Sequence, residues 1–253
     1  MSRILRDVIT DNNVYLAAFN GGRKDNAIPR ECMAEIIVAA DKTAEVKAAI
    51  ENAAKEIKEE FATSDADLKC VVDISEGCST EAVTYEDSTR AVSLIQALPN
   101  GIMRMSQDID NLVETSLNLG VISLDESGIC LRLSLRSSVG AALKNLKSQI
   151  KFISEAFRAN AEFTGEYPAW EYKKDSKLRD DMVRIFEQMY GKKPTIEAIH
   201  AGVECGILAG KIEGLDCISM GPDIFDIHTT EEHLSISSTK RMYEYILNVI
   251  ACK

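Results

Sequence analysis

The chain's three histidines, His200, His228 and His233, all fall between residues 199 and 233, among carboxylates and glycine-bounded turns. Imidazoles and carboxylates are zinc ligands, so metal chemistry is the first reading of this stretch. The run His-Thr-Thr-Glu-Glu-His at 228–233 is one residue too long for the zinc helix H-x-x-E-H, and its two histidines fall on different faces of a helix. A loop ligand suits His228 better. It follows an apolar run and the Gly221-Pro222 turn, which would put it at the carboxyl edge of a parallel sheet, where such sheets hold ligands. A turn histidine bonded to Asp226 is the alternative reading, and His233 reads as a surface residue near a helix start. His200 also follows an apolar run; Gly202 and Gly206 leave room for a ligand to approach the backbone, or serve only a tight turn. Glu204 can be an acid, a hydrogen-bonding anchor or a cap. Cys205 near His200 offers a nucleophile constellation, weakened because no adjacent positive charge stabilises a thiolate. One histidine does not make a hydrolytic zinc site, which needs at least three protein ligands and an open position. No histidine precedes residue 195.

These residues need a scaffold. Ile4, Leu5, Val8 and Ile9 have helical spacing, but only Ser2 precedes them as a capping residue, so they read as the tail of an element that begins earlier. Strands are expected at 14–19 and 34–40, joined by a loop in which Pro29 keeps Ile28 extended. Amphipathic helices follow at 41–61 and 84–98, with a strand expected at 68–74 between them. The alternating runs 112–123 and 129–137, separated by Asp125-Glu-Ser-Gly128, predict a hairpin, and Leu143, Leu146, Ile150, Ile153 and Phe157 a helix beneath it. This order predicts an α+β layer, a largely antiparallel sheet with helices on one face.

The pattern changes at Thr164-Gly-Glu-Tyr-Pro-Ala-Trp170, where the only Trp meets Gly and Pro. The expected division is therefore residues 1–163 and residues 164–253. In the second part, Asp175 or Ser176 caps a helix that ends at Gly191, and Ser237-Ser238-Thr239 opens the last one. A short helix or turn is expected at 203–209, with apolar strands at 195–199 and 215–220, a helix–strand alternation typical of part of a parallel α/β sheet.

Composition narrows the function. Forty acidic against twenty-nine basic residues give a net charge of −11, which repels phosphate backbones and anionic lipid, so no nucleic-acid or membrane partner is expected. No signal-peptide or membrane-spanning run is evident, and the reading is cytoplasmic. The seven cysteines are scattered, with no C-x-x-C pair, and read mostly as inert thiols.

Seven short motifs then occur in order: Asn20-Gly21-Gly22, Asn26-Ala-Ile-Pro-Arg-Glu31, Val113-Glu-Thr-Ser-Leu-Asn118, Leu135-Arg136-Ser137, Tyr167-Pro168-Ala-Trp170, His200-Ala-Gly-Val-Glu-Cys-Gly206, and Ser219-Met-Gly-Pro222 through His228. Together they resemble the aminoacyl-histidine (Xaa-His) dipeptidases of the zinc exopeptidase superfamily. The resemblance implies a substrate-covering and dimerising lid domain, followed by the C-terminal part of a two-zinc α/β catalytic domain. It implies that the family's other metal ligands and its glutamate general base lie in an N-terminal half not represented here. His228 matches the last metal ligand of the family. Asn26 and Arg136 match lid positions that contact substrate, and His200, Gly202 and Glu204 a substrate-side loop. A guanidinium suits such a role because it can fork onto a carboxylate. The implied function is metal-dependent hydrolysis of Xaa-His dipeptides. This chain itself is expected to carry no catalytic residue, to hold zinc only weakly and to be an inactive fragment. A non-catalytic binding or dimerisation module is the alternative, and a homodimer is allowed.

Overall fold

The computed structural model describes residues 1–77, 81–198, 204–227 and 229–252. They cluster into two units. One comprises 1–104, 115–136 and 141–164; the other joins 105–114 and 137–140 to 165–253.

The first unit begins with α1 (Ser2–Asn12), which has no side-chain cap and ends at Asn13 in the left-handed conformation. Strands β1 (Tyr15–Gly21) and β2 (Cys32–Ile37) pair antiparallel. Their register slips between Leu16 and Ala18. At that point the Leu16 N–H donates to the buried Ser88 Oγ (2.9 Å) and the Leu16 carbonyl accepts from Val83 N–H. Ser88 belongs to α3 (Tyr85–Ala97), which follows α2 (Thr43–Glu60) and is capped by Thr84. A buried serine thus takes a backbone donor in the slipped part of the ladder, which keeps it satisfied away from water.

Next come β3 (Gly101–Met105), β4 (Val113–Asp125), β5 (Gly128–Ser137) and α4 (Gly140–Ala156). The sheet order is β2-β1-β4-β3, with β5 also on β4. Leu5, Val8 and Ile9 of α1 pack with Leu16 and Phe19 of β1, Val46 of α2, Val92 and Ile95 of α3 and Ile122 of β4. Leu146 and Ile150 of α4 close a second cluster with Leu94, Leu98 and Leu117. The stripes expected for α2, α3 and α4 are these buried faces.

Two expectations for this unit change. No strand forms at 68–74: Val71 is 78% exposed and Ile74 54%. Alternation makes a strand only when a neighbour completes its ladder, and no described strand runs beside this segment. Conversely, β3 forms at 101–105, where the sequence pattern predicts no strand. It lies at the end of the sheet order and is exposed along its length, so it carries no alternating signal.

In the second unit, α5 (Lys177–Tyr190) has Ser176 as its cap, accepting from Arg179 N–H, and stops at Gly191 with φ +69°. It packs on α7 (Ile236–Ala251) through Met182, Ile185 and Tyr245, and the Tyr245 hydroxyl donates to the Met182 carbonyl at 2.7 Å. The α7 cap is Ser235, two residues before the expected opening. Between them lie α6 (Glu204–Lys211) and a two-residue antiparallel pair, β6 (Ile224–Phe225) with β7 (His233–Leu234). The strands expected at 195–199 and 215–220 are absent among the described residues, Ile199 lying outside them. Residues 215–218 are half-buried for another reason. Ile218 packs against the α5–α7 cluster, and Asp216 is tied by its side chain to the start of α5.

Candidate functional site

Asn26 sits exposed in a turn between β1 and β2, where Ala27 N–H donates to the Lys24 carbonyl. The turn is held from below by β4. Asn118 Nδ2 donates to the carbonyls of Asp25 (2.7 Å) and Ala27 (2.9 Å). Backbone presses on backbone beside it. A Cβ at Gly120 would stand 2.3 Å from the Asp25 carbonyl oxygen, and one at Gly22, where φ is +71°, would stand 1.8 Å from the Gly120 carbonyl oxygen. Only glycine allows that approach. Asn118 and Gly120 are therefore positioning residues for the Asn26 loop. Gly120 carried a sequence signal, a glycine inside a strand pattern, which often marks another backbone close by.

Arg136 is the penultimate residue of β5 and is half-buried. Among the described residues no carboxylate pairs with it. In a chain of net charge −11, a half-buried guanidinium with no carboxylate partner among the described residues is suited to an external carboxylate. Asn26 and Arg136 both belong to the first unit.

Glu204 is the exposed first residue of α6, in the second unit. His200, Gly202 and His228 lie outside the described residues. Gly206, read above as room for a ligand, is instead met by the chain's own backbone: a Cβ there would stand 2.7 Å from the Pro168 carbonyl oxygen and 3.4 Å from Trp170 Cβ. Gly210, one turn on, faces the Pro168 ring. These two glycines seat the Tyr167–Trp170 motif on α6.

Residues 224–225 and 233–234 pair as antiparallel strands rather than lying on a helix, which removes the helical zinc spelling at His233. Asp226 turns the chain with φ +51°, and its carbonyl accepts from Thr229 N–H. His233 stacks on Phe225, with ring centroids 5.1 Å apart, and its Nδ1 lies 2.8 Å from the Glu231 carbonyl oxygen. It is an exposed residue two positions before Ser235, the cap of α7.

Among the described residues no three His, Cys, Asp or Glu side chains could hold a metal ion together. Those side chains alone do not fit zinc. Nor is any described helix long and apolar enough to cross a membrane.

The solved aminoacylhistidine dipeptidase from Vibrio alginolyticus superposes with a TM-score of 0.90, at 26% identity, over 99% of this chain and 52% of that one. The chain resembles the aminoacylhistidine dipeptidases from end to end. The cytosol non-specific dipeptidase of Escherichia coli is 29% identical over 248 residues, covering 98% of this chain and 51% of that protein. The chain thus spans about half the length of the dipeptidases it matches. Residues 1–65 match the peptidase dimerisation domain, M20_dimer. An aminopeptidase PepT from Bacillus cereus shares the fold over 64% of the chain, at 18% identity and a TM-score of 0.50. The expected fold class, an antiparallel sheet with helices followed by the C-terminal part of an exopeptidase domain, is that of the dipeptidase. No parallel ladder is present among the described residues of the second unit.

Proposed function

We propose that this chain supplies the substrate-covering lid and the C-terminal part of the catalytic region of a cytoplasmic, zinc-dependent dipeptidase acting on Xaa-His dipeptides. Arg136 receives a substrate carboxylate or polarised carbonyl. Asn26, on its anchored loop, contributes amide hydrogen bonds, and His200, Gly202 and Glu204 belong to a substrate-side loop. His228 is one zinc ligand. When bound, zinc would activate water for attack on the peptide bond. The residues of this chain bind and orient the dipeptide. The observation that carries the reading is Arg136, half-buried and without a carboxylate partner among the described residues, in a chain similar to dipeptidases over 98% of its length.

With a single family metal ligand and no general base matched, the chain alone is proposed to hold zinc weakly and to hydrolyse nothing. Purified protein with added zinc is expected to give no turnover of a Xaa-His dipeptide; robust turnover overturns the inactivity. Dipeptide binding, followed by NMR chemical shifts, is expected to weaken roughly ten- to a hundred-fold in Arg136→Ala, the worth of a charge-assisted hydrogen bond. Arg136→Lys restores it only in part, because an ammonium cannot fork. Equal binding by all three proteins removes Arg136 from the site.

The dimerisation-domain match over residues 1–65 favours a second reading, a non-catalytic dimerisation or binding module. Dipeptide binding that depends on Arg136 favours the first reading, and a dimer that binds no dipeptide the second.

A further inference from the structure

Cys205 lies in the first turn of α6 and Cys217 in the half-buried stretch that follows that helix. Both are partly buried, and they are brought together in the fold: the Cys217 thiol donates to the Cys205 carbonyl oxygen at 3.9 Å. Trp170 packs beside Cys205 as well: a Cβ on the next residue, Gly206, would stand 3.4 Å from Trp170 Cβ. The other described cysteines, Cys32, Cys70, Cys130 and Cys252, are exposed. Among the described cysteines, Cys205 and Cys217 alone are partly buried and in contact with each other.

We propose that Cys205 and Cys217 form a dithiol that closes reversibly to an intramolecular disulfide when the protein meets a low-molecular-weight disulfide. One thiolate attacks the reagent's S–S bond, releasing one small thiol and leaving a mixed disulfide. The second protein thiolate then attacks the mixed disulfide, forming the Cys205–Cys217 bond and releasing the other small thiol. The two protein sulfurs lose two electrons and two protons, and the reagent gains both. Burial, with Cys205 close by, raises the pKa of the Cys217 thiol, so in the reduced state it rests protonated. The closed bond would tie the first turn of α6 to the segment whose Asp216 caps α5. In a reducing compartment such a bond forms only under oxidant load. This inference is independent of the dipeptidase reading.

The folded, fully reduced chain is titrated with oxidised glutathione, quenched, digested with trypsin and mapped by mass spectrometry without reduction. Cleavage after Lys211 separates the two cysteines, so their bond appears as a linked peptide pair lighter by two hydrogens. The expected result is that this pair accumulates before any other cysteine–cysteine link, disappears on reduction and is absent in Cys205→Ser. The proposal is overturned if Cys205 and Cys217 stay free, or carry separate glutathione adducts, at oxidant levels that modify the exposed cysteines. It is equally overturned if the pair arises only in denatured protein.

Discussion

Asp216 joins two stretches that the sequence keeps well apart. Ser176 Oγ donates to its Oδ1 at 2.8 Å and Leu178 N–H to its Oδ2 at 3.2 Å, while Ser176 itself accepts from Arg179 N–H. Burial works to raise its pKa. The two hydrogen bonds, with Lys173 and Arg179 nearby, outweigh burial and hold the carboxyl below the ordinary aspartate value. A carboxyl depressed in the folded state contributes stability that is fully present above its unfolded pKa, near 3.9, and is lost as pH falls through the lower folded value. Asp216→Asn is therefore expected to lower Tm at pH 7, with the gap to wild type closing as pH drops below about 4. A pH-independent gap in thermal melts would remove the electrostatic account. Ser176→Ala, which loses the cap hydroxyl, is expected to cost about 1 kcal/mol in denaturant unfolding.

At the scale of elements, β4 does more than pair with its neighbours. Its residues Asn118 and Gly120 fix the loop that carries Asn26. Gly120→Ala forces a Cβ into the Asp25 carbonyl and is expected to destabilise by about 1–3 kcal/mol, as overpacking does. Asn118→Ala leaves the strand intact and is expected to cost about 1 kcal/mol. Both should release the loop, read as faster limited trypsin cleavage after Arg23, Lys24 or Arg30, all in exposed positions. Unchanged cleavage rates would mean that the loop is held by something other than β4.

At the scale of the whole molecule, β2 ends the sheet order and offers an open edge with Met33 57% exposed. Open edges are templates for pairing with another chain. Residues 1–65, which include β2, match a dimerisation domain. Light scattering is therefore expected to give about twice the 27.9 kDa chain mass, and Met33→Lys, a charge on that edge, to shift the protein toward monomer. A monomer at micromolar concentration would count against the dimerisation reading.

What the sequence determined by itself was the local periodicity and the motif order. The stripes of α2, α3 and α4, the Asp125–Gly128 hairpin turn, the Ser176 cap and the seven motifs all depend on residues close along the chain, and the resemblance to dipeptidases rests on them. Tertiary structure decided the long-range pairings. Residues 68–74 alternate weakly yet find no neighbouring strand, whereas 101–105 scarcely alternate and still complete a sheet, because ladders depend on what lies beside a segment. Asn118 beneath Asp25, Ser88 on the Leu16 amide and Asp216 at the start of α5 each join residues 38 or more apart. No periodicity encodes such contacts. The site followed the same division. Arg136 was chosen from its motif and its chemistry, but that it is half-buried with no carboxylate partner among the described residues emerged only from the fold. From the sequence, Gly206 reads as room for a ligand or as part of a tight turn. What approaches it is the chain's own Pro168 backbone, because helix α6 packs there.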